Sequence, residues 1–435
     1  MIQTVRSAAR LEGTVTLPGD KSISQRAILL NSIASGSAHV SNLCHGDDRA
    51  SILRCMGGLG VEITAHSNCT ETGAEECFLV EGRGPDGLIE PGTVLDAGNS
   101  GTTARLVTGL LAAQPFFSVI TGDNSLRSRP MDRIVNPLTE MGTHILGRDG
   151  NSYAPLAISG GGLSGIAFDQ PVASAQVKSS VIIAGIHADG ETTVVQPAES
   201  RDHTERMLHA MGADITVDGL RVSVRRSTLS AMDVAVPGDI SGAAFWLVAA
   251  CIHPDARVTI RNVGINPTRS GVLDALRAMG ANIWIENVRE VGDEPVADIV
   301  AESSQLTGIE ISGEAIPRSI DELPVLALAA SVASGTTTIS DAAELRVKES
   351  DRISATVAGL SGLGADIEER PDGMTIRGVD GLAGARCDSA GDHRIAMTMA
   401  VAGLTAAGET TLVGAEAADV SYPGFWRTLN SLTPG

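Results

Sequence analysis

A short pattern recurs along this chain: a segment with helical spacing ends at a glycine, and a short apolar stretch follows at once. The copies are Met56–Ile63, Met141–Ile145, Met211–Ile215, Met279–Ile283 and Leu363–Ile367. Successive copies lie roughly 70 to 85 residues apart, and such a period is a primary clue to fold. A glycine that closes a helix and leads straight into apolar residues predicts a helix followed by a strand.

A second recurring pattern places a small-residue turn before a β-branched run, which predicts a strand. Its copies are Gly190–Val195, Asp255–Ile260, Gly335–Ile339 and Gly408–Val413. Together the two patterns indicate about six similar α/β units, each too long for a solenoid repeat. The fold class we predict is α/β, with two pseudo-symmetric domains of three units each.

The boundaries of these domains follow from a third repetition. The segment Val236–Ala244 reads Val-Pro-Gly-Asp-Ile-Ser-Gly-Ala-Ala and echoes Leu-Pro-Gly-Asp-Lys-Ser at Leu17–Ser22. We therefore place chain crossings near residues 17 and 237. The first domain would comprise residues 18–236, and the second would comprise residues 1–17 plus 237–435. Because the second copy lacks the lysine, we interpret it as a structural relic of the first.

Composition limits the classes of function. The chain has 435 residues, 43% of them hydrophobic, and a formal net charge of −20. Nucleic-acid binding asks for a basic face, so the charge argues against it. No apolar leader and no stretch long enough to span a membrane is visible, which predicts a cytoplasmic protein. The six cysteines show no metal-binding spacing, and we expect no disulfide framework.

The segment Leu17–Leu30 carries the clearest signal of a binding site. A Pro-Gly turn precedes Asp20 or Ser22, either of which could cap the helix that follows. Lys21, Ser22 and Arg26 beside the free amide groups of that helix start would suit an anion. A capped surface helix with incidental charges is the alternative. Lysine occurs only three times among 32 basic residues, at Lys21, Lys178 and Lys348, so its placement there is notable.

Two later segments in the first half suit oxyanions. In Leu95–Arg105, glycine and small hydroxyl residues would let backbone amides approach an anion closely. In Leu126–Met131, two arginines could form forked hydrogen bonds to a carboxylate or phosphate. A plain strand-to-helix turn and a solvated loop are the respective alternatives.

Several further segments carry polar groups at predicted helix starts. Val172–Ser180 and Ser200–Glu205 offer groups that could bind hydroxyls, although His203 also fits a polar residue that starts a helix. Asp321 in Ser319–Pro324 could be a general base, whereas carboxylates are also common at helix starts. In Leu345–Arg352 we expect Lys348 and Arg352 to share a helix face, with a solvated ion-paired helix as the alternative.

Taken together, these segments resemble a known family. The motifs are LPGDKSISQR, AGNSGTTARL, RSRPM, SAQVKSS, LRVKESDRI and GDHRIAM, which occur in this order. They are similar to those of the 5-enolpyruvylshikimate-3-phosphate synthase family, class II branch, over nearly the whole chain. That resemblance implies two domains of three βαβαββ units, which agrees with the repeat count.

The resemblance also implies ligands for individual residues. Shikimate 3-phosphate would be held by Lys21, Ser22, Arg26, Ser174, Ala175, Gln176, Ser200, Asp321 and Lys348. Phosphoenolpyruvate would be held by Lys21, Asn99, Gly101, Arg129, Gln176, Arg352 and Arg394. Asp321 would take the proton of the acceptor hydroxyl, Glu349 would protonate C3 of phosphoenolpyruvate, and Lys21 would assist. No metal or cofactor is implied, and we expect a monomer with small-molecule substrates.

The sequence departs from the family pattern twice. A lysine that the family often carries before its Tyr/Phe-Pro segment is missing from Val420–Pro423. Gly101 stands where many glyphosate-tolerant class II members carry alanine, so we expect moderate sensitivity to this inhibitor. Two other functions stay open: enolpyruvyl transfer to UDP-N-acetylglucosamine, and non-catalytic anion binding. The first typically uses a loop cysteine, and Gln114–Pro130 contains none.

Overall fold

Residues 1–69 and 74–433 are described by the computed structural model of the chain. They divide into two compact lobes. The first lobe comprises Gly19–Val236 and Glu290–Glu294, and the second comprises Met1–Pro18, Pro237–Arg289 and Pro295–Gly435.

The elements of the chain alternate between strands and helices. The second lobe contributes the first two, β1 (Ile2–Arg6) and β2 (Leu11–Thr16). Those of the first lobe are α1 (Lys21–Ser32), β3 (Ser37–Ser41), α2 (Asp47–Gly58), β4 (Glu62–Ser67), β5 (Glu76–Glu81), β6 (Leu95–Asp96), α3 (Gly101–Ala112), β7 (Phe117–Thr121), α4 (Asp132–Glu140), β8 (His144–Gly147), the single turn α5 (Arg148–Asn151), β9 (Tyr153–Ser159), β10 (Ala167–Asp169), α6 (Ala175–Gly185), β11 (Glu191–Val195), α7 (His203–Ala210), β12 (Ile215–Asp218), β13 (Arg221–Arg225) and β14 (Val234–Ala235).

The chain then returns to the second lobe. Its remaining elements are α8 (Ile240–Ile252), β15 (Ala256–Gly264), α9 (Gly271–Ala278), β16 (Asn282–Val291), β17 (Glu294–Glu302), β18 (Glu310–Ile311), α10 (Ala315–Ser319), α11 (Leu323–Ser331), β19 (Thr336–Ile339), α12 (Arg352–Gly362), β20 (Asp366–Arg370), β21 (Gly373–Arg377), β22 (Arg386–Asp388), α13 (His393–Gly403), β23 (Glu409–Val413) and α14 (Phe425–Leu432). Short 3₁₀ turns lie at Leu126–Ser128, Ala343–Val347 and Ala415–Val420.

Each lobe contains three small sheets with one plan. The orders in the first lobe are β14-β3-β5-β4, β6-β7-β9-β8 and β10-β11-β13-β12. Those in the second lobe are β16-β17-β15-β2, β18-β19-β21-β20 and β1-β23-β22. Every sheet contains one parallel pair of strands, and its other strands are antiparallel. In each pair, one strand directly follows a helix of the same unit, which we call the inner helix. The inner helices are α1, α3, α6, α8, α11 and α13. The predicted α/β fold with three units on each side is confirmed.

The glycines of the first recurring pattern close helices as predicted. Gly60, Gly142, Gly212, Gly280 and Gly364 follow α2, α4, α7, α9 and α12 with φ between +86° and +113°. A residue with a Cβ rarely adopts this conformation, so glycine recurs where the chain turns from helix to strand. The repeat in the sequence is therefore a repeat of backbone geometry.

Three helices that each precede a central strand of a sheet, α1, α8 and α13, are buried along almost their whole length. Every residue of α13 is buried, and α1 and α8 are each buried except for one residue at an end. A helix that is buried all round has little solvent-facing polar surface along its length. The residues that the sequence predicts for binding sites therefore lie mainly at the amino ends of the inner helices and in the loops before them.

One expectation about the cysteines is wrong. Cys69 and Cys77 form a disulfide, because the pairing of β4 with β5 brings their Cα atoms to 5.9 Å. Cys44, Cys55, Cys251 and Cys387 are free and buried. Within the described residues, each helix is too short or too polar to cross a membrane.

Candidate active site

The turn before α1 carries the first predicted cation. Asp20 caps the helix by accepting a hydrogen bond from the Ile23 amide at 2.9 Å. Lys21 then begins α1 with its side chain 29% exposed and its Nζ 3.5 Å from Asp48 Oδ2. Gly19 is required here, since a Cβ at this position would lie 1.7 Å from the carbonyl oxygen of Asn42. Lys21 is thus held at the surface of the lobe by a tightly packed turn.

Arg26 lies one turn further along α1 and is buried. Its guanidinium donates to Thr204 Oγ1 at 2.7 Å, to Ser179 Oγ at 2.9 Å and to the Ser22 carbonyl at 3.0 Å. Burial lowers the pKa of Arg26 to about 10, although the nearby Glu205 charge opposes this shift. Arg26 therefore stays protonated at neutral pH while its donors join three segments of the first lobe.

The turn rich in glycine and hydroxyl residues, within Leu95–Arg105, leads into α3 and holds two residues that were predicted to bind phosphoenolpyruvate. Ser100 caps the helix by accepting from the Thr103 amide at 3.2 Å, and it also accepts from Gln25 Nε2 at 2.8 Å. Arg129 donates to Asn99 Oδ1 at 2.7 Å. The structure therefore brings together Asn99 and Arg129, which the family resemblance assigned to phosphoenolpyruvate.

Gly101 and Gln176 are joined by Arg105, which the sequence analysis placed in an oxyanion segment but did not assign to a substrate. Arg105 Nη1 donates to Gln176 Oε1 at 2.6 Å, and Gln176 Nε2 donates to Thr102 Oγ1 at 2.9 Å. A Cβ on Gly101 would lie 2.8 Å from Arg105 Nη1 and 3.4 Å from Arg129 Nη1. Alanine at this position would therefore push against the cationic ends of two side chains.

The other first-lobe residues that were predicted to bind shikimate 3-phosphate lie at the start of α6 and before α7. Ser174 caps α6, with the Val177 amide 3.5 Å from its Oγ, so Ala175 and Gln176 form the first turn. Ser200 lies in the loop between β11 and α7, where its Oγ donates to Gln196 Oε1 at 2.5 Å. These residues belong to the same lobe as Lys21, Ser22 and Arg26.

In the second lobe, Arg352 joins three carboxylates. Its Nη1 lies 3.1 Å from Asp321 Oδ1, its Nη2 lies 2.6 Å from Glu349 Oε2, and its Nε donates to Asp392 Oδ2 at 2.8 Å. Burial alone would lower the pKa of Arg352, but the surrounding charges of Glu349, Asp392 and Asp321 raise it above its usual value. Burial likewise favours protonated Asp392, yet Arg352 holds the pKa of that carboxyl below its usual range. The predicted acid and the predicted base thus share one buried cation.

Lys348 and Arg352 do not share a helix face, contrary to the sequence prediction. The preceding 3₁₀ turn ends at Val347, and α12 begins only at Arg352. Asp351 caps α12 by accepting from the Ser354 amide at 3.1 Å, which interrupts any continuous helix. Lys348 lies between the two helical segments, with its Nζ 4.0 Å from Glu344 Oε1.

Arg394 differs from every cation described above. It lies at the start of α13 with 5% of its surface exposed, and its buried Nε has no hydrogen-bond partner. The described residues also provide no ion pair to its side chain within 4.0 Å. It lines a small cavity of the second lobe together with Leu17, Pro18, Asp239, Gly242, Met397, Ser421 and Tyr422. A buried guanidinium without a partner is costly unless an anion completes its hydrogen bonds.

The sequence analysis did not assign a role to Glu322 or Arg269, which contact each other in the second lobe. Glu322 is buried, hydrogen-bonds to the Ser241 hydroxyl and lies 3.6 Å from Arg269 Nη1. Burial raises the pKa of Glu322 above its usual value; Arg269 and Arg394 oppose this shift, and Asp321 adds to it. The signal that could have revealed Glu322 is its place directly after Asp321, ahead of a wholly apolar helix.

A family model and known proteins match nearly the whole chain. The family model described as EPSP synthase (3-phosphoshikimate 1-carboxyvinyltransferase) matches residues 5–429. A 3-phosphoshikimate 1-carboxyvinyltransferase of Roseiflexus castenholzii is 54% identical over 437 residues, covering 99% of this chain and all of the relative. One from Synechococcus elongatus is 53% identical, covering 99% of this chain and 96% of the relative.

A solved structure gives the same result at the level of the fold. The EPSP synthase of Acinetobacter baumannii superimposes with a TM-score of 0.89 at 42% identity, over 99% of this chain and 98% of the other. Both the sequence and the arrangement of its elements therefore place this chain in the EPSP synthase family.

Proposed function

We propose that this chain transfers the enolpyruvyl group of phosphoenolpyruvate to the 5-hydroxyl of shikimate 3-phosphate and releases phosphate. The family match over residues 5–429 supports this activity over transfer to UDP-N-acetylglucosamine. The two lobes would be the two domains predicted from the sequence, with the turn Glu290–Glu294 added to the first. A cytoplasmic location and a monomeric state remain predictions.

The observation that carries the proposal is the state of Arg394. Its neighbour Arg352 already balances three carboxylates, whereas Arg394 has a buried Nε with no partner. Phosphoenolpyruvate would supply the missing acceptor through its carboxylate or phosphate oxygens, which suit a guanidinium. In this proposal the two arginines differ in role: Arg394 binds the donor substrate, and Arg352 also orients the acid and the base.

The proposed chemistry then proceeds in two stages. In the first, the acceptor oxygen bonds to C2 of phosphoenolpyruvate while Asp321 takes the hydroxyl proton and Glu349 gives a proton to C3. In the second, C3 returns a proton to Glu349, the double bond between C2 and C3 forms again, and the bond from C2 to the phosphate oxygen breaks. The departing phosphate takes up the proton that Asp321 accepted, so both carboxyl groups return to their starting states. Lys21 and the arginines stabilise the charge that shifts toward the phosphate.

Shikimate 3-phosphate would be held by the residues that the family resemblance assigns to it, Asp321 and Lys348 among them. Ser22, Ser174, Ala175, Gln176 and Ser200 supply neutral hydrogen-bonding groups suited to hydroxyls, and Lys21 and Arg26 supply positive charge for the 3-phosphate. Asn99, Gly101 and Arg129 would contact phosphoenolpyruvate.

The test is phosphate release by the purified chain from phosphoenolpyruvate with shikimate 3-phosphate, with UDP-N-acetylglucosamine as the parallel acceptor. We expect release with shikimate 3-phosphate only, and silence with both acceptors would contradict the proposal. Arg394→Gln should raise the KM for phosphoenolpyruvate by about tenfold or more, because a hydrogen bond to a charged group contributes about 1.5–3 kcal/mol. Arg386→Gln removes an exposed arginine of the same lobe and is the matched control.

A further inference from the structure

One of the three lysines has no place in the reaction proposed above. Lys178 lies in α6, one turn beyond the cap at Ser174, and its side chain is only 1% exposed. Long charged side chains are rarely buried unless they are paired, so its position needs a reason. A lysine on an otherwise arginine-rich chain suggests that the compact ammonium group matters there.

The contacts of Lys178 connect two loops that carry proposed acceptor residues. Its Nζ lies 2.5 Å from Glu205 Oε1 in α7 and 3.2 Å from the carbonyl oxygen of Ser200. Glu205 is itself only 4% exposed. The ammonium group therefore fixes the backbone of Ser200 relative to the helix that begins with Ala175 and Gln176.

Neighbouring residues on α6 and α7 also contact α1, the helix that carries Ser22 and Arg26. Ser179 Oγ and Thr204 Oγ1 lie 2.6 Å apart, and Arg26 donates to both of them. Arg26 also senses the charge of Glu205. The result is a buried polar cluster that joins α1, α6 and α7 and includes Arg26, which is itself proposed to contact shikimate 3-phosphate.

We propose that Lys178 and Glu205 are a positioning pair for the acceptor site, which sets the spacing between Ser174–Gln176 and Ser200. This inference rests on the proposed function, since that function supplies the acceptor. Neither residue touches substrate in this proposal. A small change in spacing weakens hydrogen bonds to several hydroxyls at once, so loss of the pair should act on acceptor binding far more than on donor binding.

A second buried pair on α7 provides a matched control. His203 Nδ1 and Glu294 Oε1 lie 2.7 Å apart, with side chains 2% and 4% exposed. This pair anchors the turn Glu290–Glu294 to the first lobe and, among the contacts described, does not touch Ser174, Gln176 or Ser200. It matches the Lys178–Glu205 pair in burial, and each pair has one member on α7. The charge of Glu294 acts on Arg26, as that of Glu205 does, but the described contacts do not connect the His203–Glu294 pair to the backbone of Ser200 or to α6.

The experiment compares Lys178→Met/Glu205→Leu with His203→Gln/Glu294→Gln. Removing both partners avoids leaving one buried charge alone, which would endanger folding. Calorimetric titration with shikimate 3-phosphate gives the Kd, phosphate release gives both KM values, and circular dichroism gives the melting temperature. The single variant Lys178→Arg tests whether positive charge alone is sufficient at this position.

For the Lys178→Met/Glu205→Leu variant we expect the Kd and KM for shikimate 3-phosphate to rise by about tenfold or more, as loss of one or two hydrogen bonds implies. The KM for phosphoenolpyruvate should change by less than about twofold on the same basis. The control variant should lose thermal stability without this selective change, and Lys178→Arg should fall between wild type and the double variant.

Two results would overturn the inference: an equal rise in the KM of both substrates, or an equal acceptor effect in the control variant. The proposed function fails separately, if wild type binds shikimate 3-phosphate but releases no phosphate. In that case the Kd values still decide whether the pair positions the acceptor site. Wild type that does not bind shikimate 3-phosphate at all would contradict both proposals.

Discussion

The two copies of the Pro-Gly-Asp turn start their helices alike but place different side chains beside the cap. Asp20 accepts from the Ile23 amide at 2.9 Å, and Asp239 accepts from the Ser241 amide at 2.8 Å. The residue after the aspartate is the partly exposed Lys21 in the first copy and the buried Ile240 in the second. The copies therefore share the capping of a helix and differ in the charge that follows it.

A cation is nevertheless present at the second turn, and it arrives from elsewhere in the chain. Arg269 precedes α9, is 4% exposed, and contacts Asp239 Oδ1 at 3.1 Å and Ser241 Oγ at 2.8 Å. Its charge is sealed inside the lobe, where carboxylates balance it. The two copies thus share the turn and the helix start. The cation is partly exposed at the first turn, which suits binding, and buried at the second, which suits a structural role.

The largest expected difference between the copies is in stability. Arg269→Met leaves the buried carboxylate of Glu322 and the partly exposed carboxylate of Asp239 without their cation. It should lower the free energy of unfolding by about 3–5 kcal/mol. Lys21→Met removes a partly exposed charge and should cost about 1 kcal/mol or less, because exposed ion pairs contribute little. Urea unfolding of the two variants measures this contrast.

Activity should show the reverse contrast for Lys21. Loss of a group that stabilises the developing charge lowers turnover by about 100-fold or more in other enzymes, and we expect the same for Lys21→Met. Lys21→Arg keeps the charge and serves as the control for it. If Lys21→Met unfolds as readily as Arg269→Met, then the first turn is structural and the comparison between the copies is wrong.

The glycine of each turn provides a second, smaller contrast. A Cβ on Gly19 would meet the Asn42 carbonyl oxygen at 1.7 Å, whereas one on Gly238 would lie 3.1 Å from Leu17 Cβ and 3.2 Å from the Asn262 carbonyl oxygen. Backbone atoms cannot move aside cheaply, so Gly19→Ala should lower the free energy of unfolding by about 3 kcal/mol. Gly238→Ala should cost about 1 kcal/mol or less on the same scale. Equal losses in urea unfolding would show that the two turns are packed alike.

The sequence predicted these turns well because caps and closing glycines act over a few residues. Of the two predicted caps of α1, Asp20 and Ser22, the structure uses Asp20. That cap and the glycine after α2, α4, α7, α9 and α12 depend only on local backbone geometry. The order of motifs then identified the family, since motif order survives where single motifs are ambiguous.

The sequence predicted contacts between distant segments poorly. Nothing near Arg269 announces that it reaches Asp239, 30 residues earlier, or that Arg105 reaches Gln176, 71 residues later. The shared helix face of Lys348 and Arg352 was wrong because the Asp351 cap restarts the helix between them. Burial was also invisible, so Glu322 looked like an ordinary carboxylate at a helix start.

Glu322 provides the smallest expected effect, a change in how stability varies with pH. Because burial raises its pKa in the folded chain above the ordinary value of 4.5, the folded state holds this proton more tightly than the unfolded state. The penalty for ionising Glu322 is therefore absent at low pH and grows as pH rises above 4.5. Arg269, Arg394 and the Ser241 hydroxyl oppose the effect of burial on this pKa, and the charge of Asp321 adds to it.

Glu322→Gln keeps the shape of the side chain and removes this proton, so it should gain stability relative to wild type as pH rises from about 4 to 7. Urea unfolding at several pH values measures the difference, and Glu409→Gln controls for the loss of one carboxylate because it breaks only the exposed pair with Arg6. A constant difference between Glu322→Gln and wild type across this range would contradict the prediction. It would mean that the charge of Arg269 fully offsets the cost of burying the Glu322 carboxylate. The ion pair at the second turn would then carry no penalty for burial, and in this respect it would not differ from the partly exposed Lys21 at the first turn.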